Sequence, residues 1–161
     1  MTIAYDLFAE TNPAFGAYGL LGFCRKYLIA AGEPPAFALS YIALPIALSD
    51  DLSASFEQTT AVTGLLTWLN SYPDVRVDLG ARLDASKDIV SAAMRFALSA
   101  RALSLKPDGT FSPGPQKPVQ AAANKLPNNA KRALKRAERL GTWMGNAGSA
   151  GTIFSAFGVT P

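Results

Sequence analysis

Three pairs of aspartates are the residues whose type and spacing could support catalysis in this chain. In two of the pairs the carboxylates are four residues apart, so they would share a helix face and could act as a general acid and a general base. The pairs are Asp74 with Asp78, Asp84 with Asp88, and the adjacent Asp50 and Asp51. Aspartates are also common as helix caps and first-turn residues, and we favour that interpretation. An enzyme that uses carboxylates alone is kept as one alternative.

The composition removes most other catalytic chemistry. The 161 residues include no histidine, which excludes Ser-His and Cys-His nucleophile pairs and histidine-ligated zinc. Cys24 is the single cysteine, so the chain has no intramolecular disulfide and no CxxC pair. It lies in an apolar stretch and is expected to be buried. Neither a GxxxxGK[ST] loop nor a GxGxxG motif after a strand is present. We predict that the protein is not an enzyme and uses no cofactor or metal.

Positive charge is concentrated in the last part of the chain. Residues 1–100 contain ten acidic and six basic residues, whereas residues 101–161 contain two acidic and nine basic residues. Four of these basic residues follow an i, i+3, i+4, i+7 spacing, which places them on one side of a helix. They are Arg132, Lys135, Arg136 and Arg139. We predict that this basic stripe contacts a DNA backbone or an acidic partner without reading base sequence.

Large apolar residues are unusually frequent at the end of the chain. They include Trp143, Met144, Ile153, Phe154 and Phe157. Terminal segments fray unless they dock, so this segment either packs on its own domain or inserts into another subunit. Aromatic residues and methionine on a short helix bounded by glycines suit an interface anchor. We therefore predict that these five residues bind a partner protein.

Capping residues, glycines and prolines divide the chain into segments. Asn12 with Pro13 begins the first helix and Gly32 ends it, and the last helix begins after Ser149 and ends at Gly158. We predict helices at about residues 13–31, 52–70, 74–83, 86–100, 128–144 and 150–157, with an apolar segment at 37–48 broken near Pro45. Residues 1–112 form the N-terminal helices and a core, 113–127 a proline-rich linker, and 128–161 a basic helix with an apolar tail. The core positions expected in the 52–70 helix are Phe56, Val62, Leu65, Leu66 and Leu69.

The middle of the chain has the element order of a winged helix-turn-helix. A short helix and a longer helix at 86–100 are followed by two short strand-like runs around Asp108-Gly109, a hairpin signal. The fold class predicted is therefore mainly α with a small β-hairpin, a winged helix-turn-helix-like core and C-terminal helices. Lys87 and Arg95 lie on the outer face of the longer helix and are further candidates for contact with DNA or an acidic surface, but Asp84 and Asp88 stand beside them. A winged-helix DNA-binding transcription regulator is accordingly the alternative function.

No stretch of the sequence reaches the roughly 18 apolar residues that a membrane span requires. The first residues lack the basic region of a signal peptide, and one free cysteine suits a reducing compartment. We expect a cytoplasmic protein with no membrane partner.

Short segments spread over nearly the whole chain resemble a known bacterial family. Towards the start they are residues 12–15 (Asn-Pro-Ala-Phe), 44–48 (Leu-Pro-Ile-Ala-Leu), 68–69 (Trp-Leu) with Pro73, and 81–83 (Ala-Arg-Leu). The most specific segments are 137–143 (Ala-Glu-Arg-Leu-Gly-Thr-Trp), 147–149 (Ala-Gly-Ser), 152–154 (Thr-Ile-Phe) and 158–161 (Gly-Val-Thr-Pro). With these the chain resembles the middle component of bacterial three-component ABC ATPase (ABC-3C) systems, a relative of the small subunit of Lamassu-type anti-phage defence. Two departures are Ser-Asp-Asp at 49–51, where the family often has Thr-Arg, and Thr-Pro rather than Arg-Pro at the end.

The resemblance implies a non-catalytic adaptor in a bacterial anti-phage defence complex. Such a subunit would bridge an SMC/Rad50-like ABC ATPase subunit and an effector subunit, often a nuclease. Contact with DNA backbone would then occur through the complex.

Overall fold

The computed structural model of the protein describes residues 12–118 and 124–160. This part of the chain is mainly helical with a small two-stranded antiparallel sheet, as predicted. The helices are α1 (Pro13–Ala31), α2 (Ser40–Leu48), α3 (Ala54–Glu57), α4 (Leu65–Ser71), α5 (Leu79–Ala85), α6 (Lys87–Ser99), α7 (Asn128–Gly145) and α8 (Ala150–Phe157). Strands β1 (Leu103–Leu105) and β2 (Phe111–Pro113) form the hairpin, and 3-10 turns occupy Phe37–Leu39, Asp50–Leu52 and Pro73–Arg76. The winged helix-turn-helix arrangement stays a prediction, and residues 119–123 of the predicted linker lie outside the described residues.

Helix α1 lies at the centre of the fold and begins and ends as predicted. The Asn12 side chain accepts a hydrogen bond from the Phe15 amide at 3.1 Å, and Pro13 occupies the first helical position. Gly32 ends the helix in the left-handed conformation, with φ at 77°. The helix is buried on most of its surface because α7, α6, α2 and β2 pack around it. An apolar sequence with residues such as Leu20, Leu21 and Phe23 suits that position.

Glycines allow α1 and α7 to approach at backbone distance. A Cβ atom added to Gly141 would overlap the Phe23 carbonyl group of α1. One added to Gly145 would lie 2.8 Å from the Tyr27 carbonyl oxygen. Any side chain at either position would therefore push the two helices apart. Glycine at positions 141 and 145 is therefore required by the close contact between α1 and α7.

The hairpin is attached to the segment that follows α1. Leu103 pairs with Pro113 and Leu105 with Phe111 in the antiparallel ladder, and Gly109 turns the chain with φ at 85°. The amide of Phe111 donates to the Pro35 carbonyl at 3.0 Å, and the amide of Phe37 donates to the Gly109 carbonyl at 2.8 Å. The Phe111 ring also stacks on Phe23 of α1. The predicted hairpin is confirmed, and its Phe111 side chain belongs to the main core.

The long helix predicted over 52–70 is wrong. The chain instead forms the 3-10 turn at 50–52, the four-residue α3, a loop, and α4 from Leu65. Gly64 stands in the loop with φ at 83°, and the hydroxyl groups of Thr59, Thr60 and Thr63 satisfy backbone groups locally. Val62, expected in the core, is 92% exposed, and Leu66 is 58% exposed. The other three predicted core residues, Phe56, Leu65 and Leu69, are buried.

Two further boundaries differ from the predictions. Helix α2 continues through Pro45 rather than breaking there, because its interior residues are buried and tertiary packing outweighs one missing hydrogen bond. The helix predicted at 74–83 is split by Asp78, whose φ of 53° separates the 3-10 turn from α5. In α6 the residues that face the core are Val90, Ala93, Met94 and Ala97, and Phe96 is 45% exposed.

The contact between α1 and α7 yields a prediction about stability. We expect Gly141→Ala to lower the free energy of unfolding by at least about 2 kcal/mol and Tm by roughly 4–8 °C, because a methyl group would overlap a backbone carbonyl. The matched control is Gly80→Ala in α5, where a Cβ would meet no atom within 4 Å. That change should be neutral or stabilising by about 0.5–1 kcal/mol. Thermal unfolding followed by circular dichroism compares the two, and equal Tm values would contradict the close contact.

Candidate functional site

The four basic residues predicted to act together line one cleft. The cleft has a volume of about 520 Å³ and lies between α7 and the segment that contains α3. Its lining residues are Asp50, Ser53, Phe56, Glu57, Thr59, Asn129, Arg132, Lys135, Arg136 and Arg139. Four cations and two carboxylates therefore face the same volume. We call this feature the basic cleft, and it is the candidate functional site.

Only two of the four cations are exposed. Arg132 and Lys135 extend into solvent. Arg136 is buried, and its Nε donates to the Ala47 carbonyl of α2 at 2.9 Å. This corrects the prediction for Arg136, because its guanidinium group fastens α7 to α2 rather than standing on the surface.

Arg139 is half-buried and holds the loop after α3. Its Nη1 donates to the Thr59 carbonyl at 3.0 Å, to the Thr59 hydroxyl at 3.1 Å and, at 3.3 Å, to the Phe56 carbonyl. Trp143, one turn further along α7, donates from Nε1 to the Thr60 carbonyl at 3.0 Å. The loop wall of the basic cleft is thus fixed by side chains of the helix that forms the opposite wall.

The five residues predicted to anchor a partner lie in the chain's own core. Trp143, Met144, Ile153, Phe154 and Phe157 are all buried. Trp143 stacks on Phe56, its ring lies 5.2 Å from that of Trp68, and the Trp68 ring contacts Phe157. The partner-anchor assignment is corrected accordingly, since the last helix folds back on its own domain and α7 and α8 complete one aromatic core.

Lys87 and Arg95 do not line the basic cleft. Both are exposed residues of α6, and Lys87 forms an ion pair with Asp84 at 3.1 Å. Lys87 lines a different cleft of about 830 Å³, together with Tyr41, Leu83 and Phe154. The two groups of predicted contact residues therefore belong to separate surfaces.

A partly exposed ion pair joins Arg82 to Asp51. Arg82 donates to both carboxylate oxygens of Asp51, at 2.9 and 2.7 Å, and to the Ser49 hydroxyl at 3.0 Å. The hydrogen bonds from Arg82 lower the pKa of the Asp51 carboxyl, so Asp51 stays ionised at neutral pH. One carboxylate of the predicted catalytic pairs is thus bound within the chain.

Cys24 lies in the core and is suited to packing rather than to nucleophilic attack. Its Sγ donates to the Phe111 carbonyl at 3.4 Å, which ties α1 to β2. Burial raises the pKa of the Cys24 thiol to about 12. Among the residues that the structure describes, no three or more His, Cys, Asp or Glu side chains are grouped so that they could hold a metal ion.

The fold and the basic cleft define a small, mainly helical protein whose distinctive surface feature is a cluster of cations. Its sequence matches a family model over residues 7–161, and the chain belongs to that family, the ABC-three component (ABC-3C) system Middle Component 3 family. The predicted family is confirmed. No curated protein matches the chain, and no solved structure matches it. Within residues 12–118 and 124–160, no helix is long and apolar enough to cross a membrane.

Two features of the site were missed by sequence reasoning. The exposed tip at Val62 was assigned to a helix core, although three threonines before Gly64 signal a turn. The pairing of Asp51 with Arg82 joins residues 31 positions apart, and no sequence pattern near either residue predicts it.

The raised pKa of Cys24 predicts slow thiol chemistry. At pH 8 a thiol with a pKa near 12 has about one thousandth of the thiolate of an unburied cysteine. We therefore expect a thiol-reactive disulfide reagent to modify the folded protein about a thousandfold more slowly than the protein in guanidinium chloride. The rate should rise as the pH approaches 12. Equal rates in the folded and unfolded states would show that Cys24 is accessible.

The contacts of Arg139 predict a loss of stability when its guanidinium group is removed. Arg139→Met keeps most of the length but leaves the carbonyls of Phe56 and Thr59 without these hydrogen bonds, which should cost about 1–3 kcal/mol. Amide hydrogen exchange in residues 59–64 should accelerate. The control is Arg132→Met on the same helix, expected to change stability by less than about 0.5 kcal/mol because Arg132 is exposed. The assignment is wrong if both variants have the same exchange pattern as the wild type.

Proposed function

We propose that the protein is a non-catalytic adaptor that joins an SMC/Rad50-like ABC ATPase subunit to an effector subunit in a bacterial anti-phage defence complex. The observation that carries this proposal is membership of the ABC-3C Middle Component 3 family over almost the whole chain. A middle component of a three-component system works with other components. We further propose a nuclease as the effector, a relation to Lamassu-type defence, and a cytoplasmic location.

The side chains that could do chemistry support an adaptor over an enzyme. Asp51 is bound by Arg82, Asp84 is paired with Lys87, and the Cys24 thiol is buried. A catalytic acid or nucleophile needs access to a substrate and a suitable protonation state. These three positions favour structural roles, whereas the exposed cations of the basic cleft favour binding.

The alternative, a winged-helix transcription regulator, has weaker support. Helices α5 and α6 and the hairpin follow one another in the order that such a fold requires. However, Lys87 and Arg95 on the exposed side of α6 are accompanied by Asp88 on the same helix and by Asp84 of α5, which weakens attraction to DNA phosphates. We therefore regard contact with DNA as a property of the assembled complex.

Co-expression tests the proposed function. The tagged protein is produced with the ATPase and the effector component of the same system, and the assembly is measured by size-exclusion chromatography with light scattering. We expect one complex that contains all three proteins, and we expect the ATPase and the effector not to copurify when this chain is omitted. A protein that stays alone beside both components would contradict the adaptor function. A symmetric dimer that binds one DNA sequence selectively would favour the regulator.

A further inference from the structure

Resting on the adaptor function, we propose that the basic cleft and the adjoining tip at Val62 form the docking surface for an acidic segment of a partner protein subunit. In this arrangement acidic side chains of the segment pair with Arg132 and Lys135, and an apolar side chain packs on Val62. Thr59 lines the cleft, and Val62 comes three residues after it in the chain. The charged and apolar parts of the surface are therefore neighbours along the chain.

The tip is pre-organised for binding. The Thr60 amide donates to the Thr63 hydroxyl at 2.9 Å, the Val62 amide donates to the Thr60 hydroxyl at 3.2 Å, and the Thr63 amide donates to the Thr60 carbonyl at 3.1 Å. Arg139 and Trp143 hold the base of the same loop. A loop fixed in this way loses little conformational entropy when a partner binds.

The apolar residues of the tip are not needed by the fold. Val62 is 92% exposed, and Leu66, at the start of α4, is 58% exposed. Two large apolar side chains are thus exposed within five positions of the chain, in the segment that follows Thr59 of the cleft. A contact that buries Val62 would gain free energy from the hydrophobic effect without disturbing the core.

The charge of the cleft selects an acidic partner. Arg136 and Arg139 are held by backbone carbonyls and contribute their charge from fixed positions, whereas Arg132 and Lys135 remain exposed. Clustered cations next to low-dielectric walls attract carboxylates over roughly one Debye length, about 8 Å at physiological salt. The electrostatic part of the contact should therefore weaken as salt is raised.

The surface suits a protein segment better than a DNA backbone. Asp50 and Glu57 line the same cleft and repel any anion, but a protein segment can present uncharged groups to them, whereas a nucleic-acid backbone carries a charge at every phosphate. The Val62 side chain cannot hydrogen-bond a phosphate, but it suits the apolar centre of a protein interface. The Glu57 carboxylate, which lines the cleft, can also accept hydrogen bonds from the amide groups of a peptide, and a phosphate backbone has no such donors.

Charge-reversal variants test the proposal in the co-expressed three-component assembly. Arg132→Glu with Lys135→Glu should weaken binding to the partner subunit at least tenfold, and the remaining affinity should depend less on salt. The control is Lys106→Glu with Lys117→Glu, which changes the net charge equally at two exposed residues that do not line the basic cleft and should leave affinity unchanged. All four residues are exposed, so Tm should be the same in both variants.

A second pair of variants tests the apolar contact. Val62→Glu places a charge at the tip and should weaken the same complex about tenfold. Val77→Glu is the matched control, because Val77 is 60% exposed in a different segment. Equal affinity for the wild type, the cleft variant and the Val62 variant overturns the proposal, even if the complex itself forms.

A binding measurement separates failure of this inference from failure of the adaptor function. Fluorescently labelled poly-glutamate peptide and a labelled DNA duplex are titrated with the isolated wild-type chain. If the wild type binds the peptide and the Arg132→Glu, Lys135→Glu variant does not, the result supports a docking surface for an acidic segment, even if the wild type assembles with neither component. Binding of the duplex but not of the peptide, lost in the same variant, assigns the cleft to nucleic acid and overturns the proposal. Absence of peptide binding together with absence of assembly also overturns it.

Discussion

The structure depends on one constraint, the approach of α7 to α1 at backbone distance. Gly141 and Gly145 leave no room for a Cβ atom against the carbonyls of Phe23 and Tyr27. Because the two helices meet so closely, the remaining side chains of α7 are fixed in position around the contact. Trp143 then reaches the rings of Phe56 and Trp68, and the aromatic core that α8 completes forms around them. The basic cleft exists because the same helix is held in this place.

Within α7 the basic residues divide into two chemical roles. Arg136 and Arg139 point back to the fold, where their guanidinium groups donate to the backbone carbonyls of Ala47, Phe56 and Thr59. A planar guanidinium group offers several donors in a fixed geometry, which a lysine ammonium does not. Lysine occurs at position 135, where the side chain is exposed. The arginines thereby fix the walls of the cleft, while Arg132 and Lys135 supply the charge that a partner can contact.

Local signals were sufficient wherever an element is defined by its own ends. Asn12 with Pro13, Ser149 and the glycines at 32 and 158 gave the bounds of α1 and α8, and Asp108-Gly109 gave the hairpin. The helix predicted over 52–70 does not form, because threonine hydroxyls hydrogen-bond backbone groups locally and Gly64 turns the chain. The prediction of partner anchors was wrong for another reason. Apolar residues near a terminus have the same sequence pattern whether they face a partner or their own core, and the position of α7 determines which of the two they face. Spacing placed four cations on one side of a helix, but it could not tell that Arg136 is buried.

The Asp51–Arg82 pair affects the charge of the cleft more than the stability of the fold. An exposed ion pair contributes about 0–1 kcal/mol, and both side chains are partly exposed. Asp51, however, is the neighbour of Asp50, which lines the cleft. Hydrogen bonds from Arg82 hold the pKa of the Asp51 carboxyl low, so it stays ionised with its charge offset by the guanidinium group. An aspartate without that partner would add negative potential beside the cleft and oppose Arg132 and Lys135. An aspartate at position 51 is therefore compatible with a basic cleft, because the Arg82 guanidinium group offsets its charge.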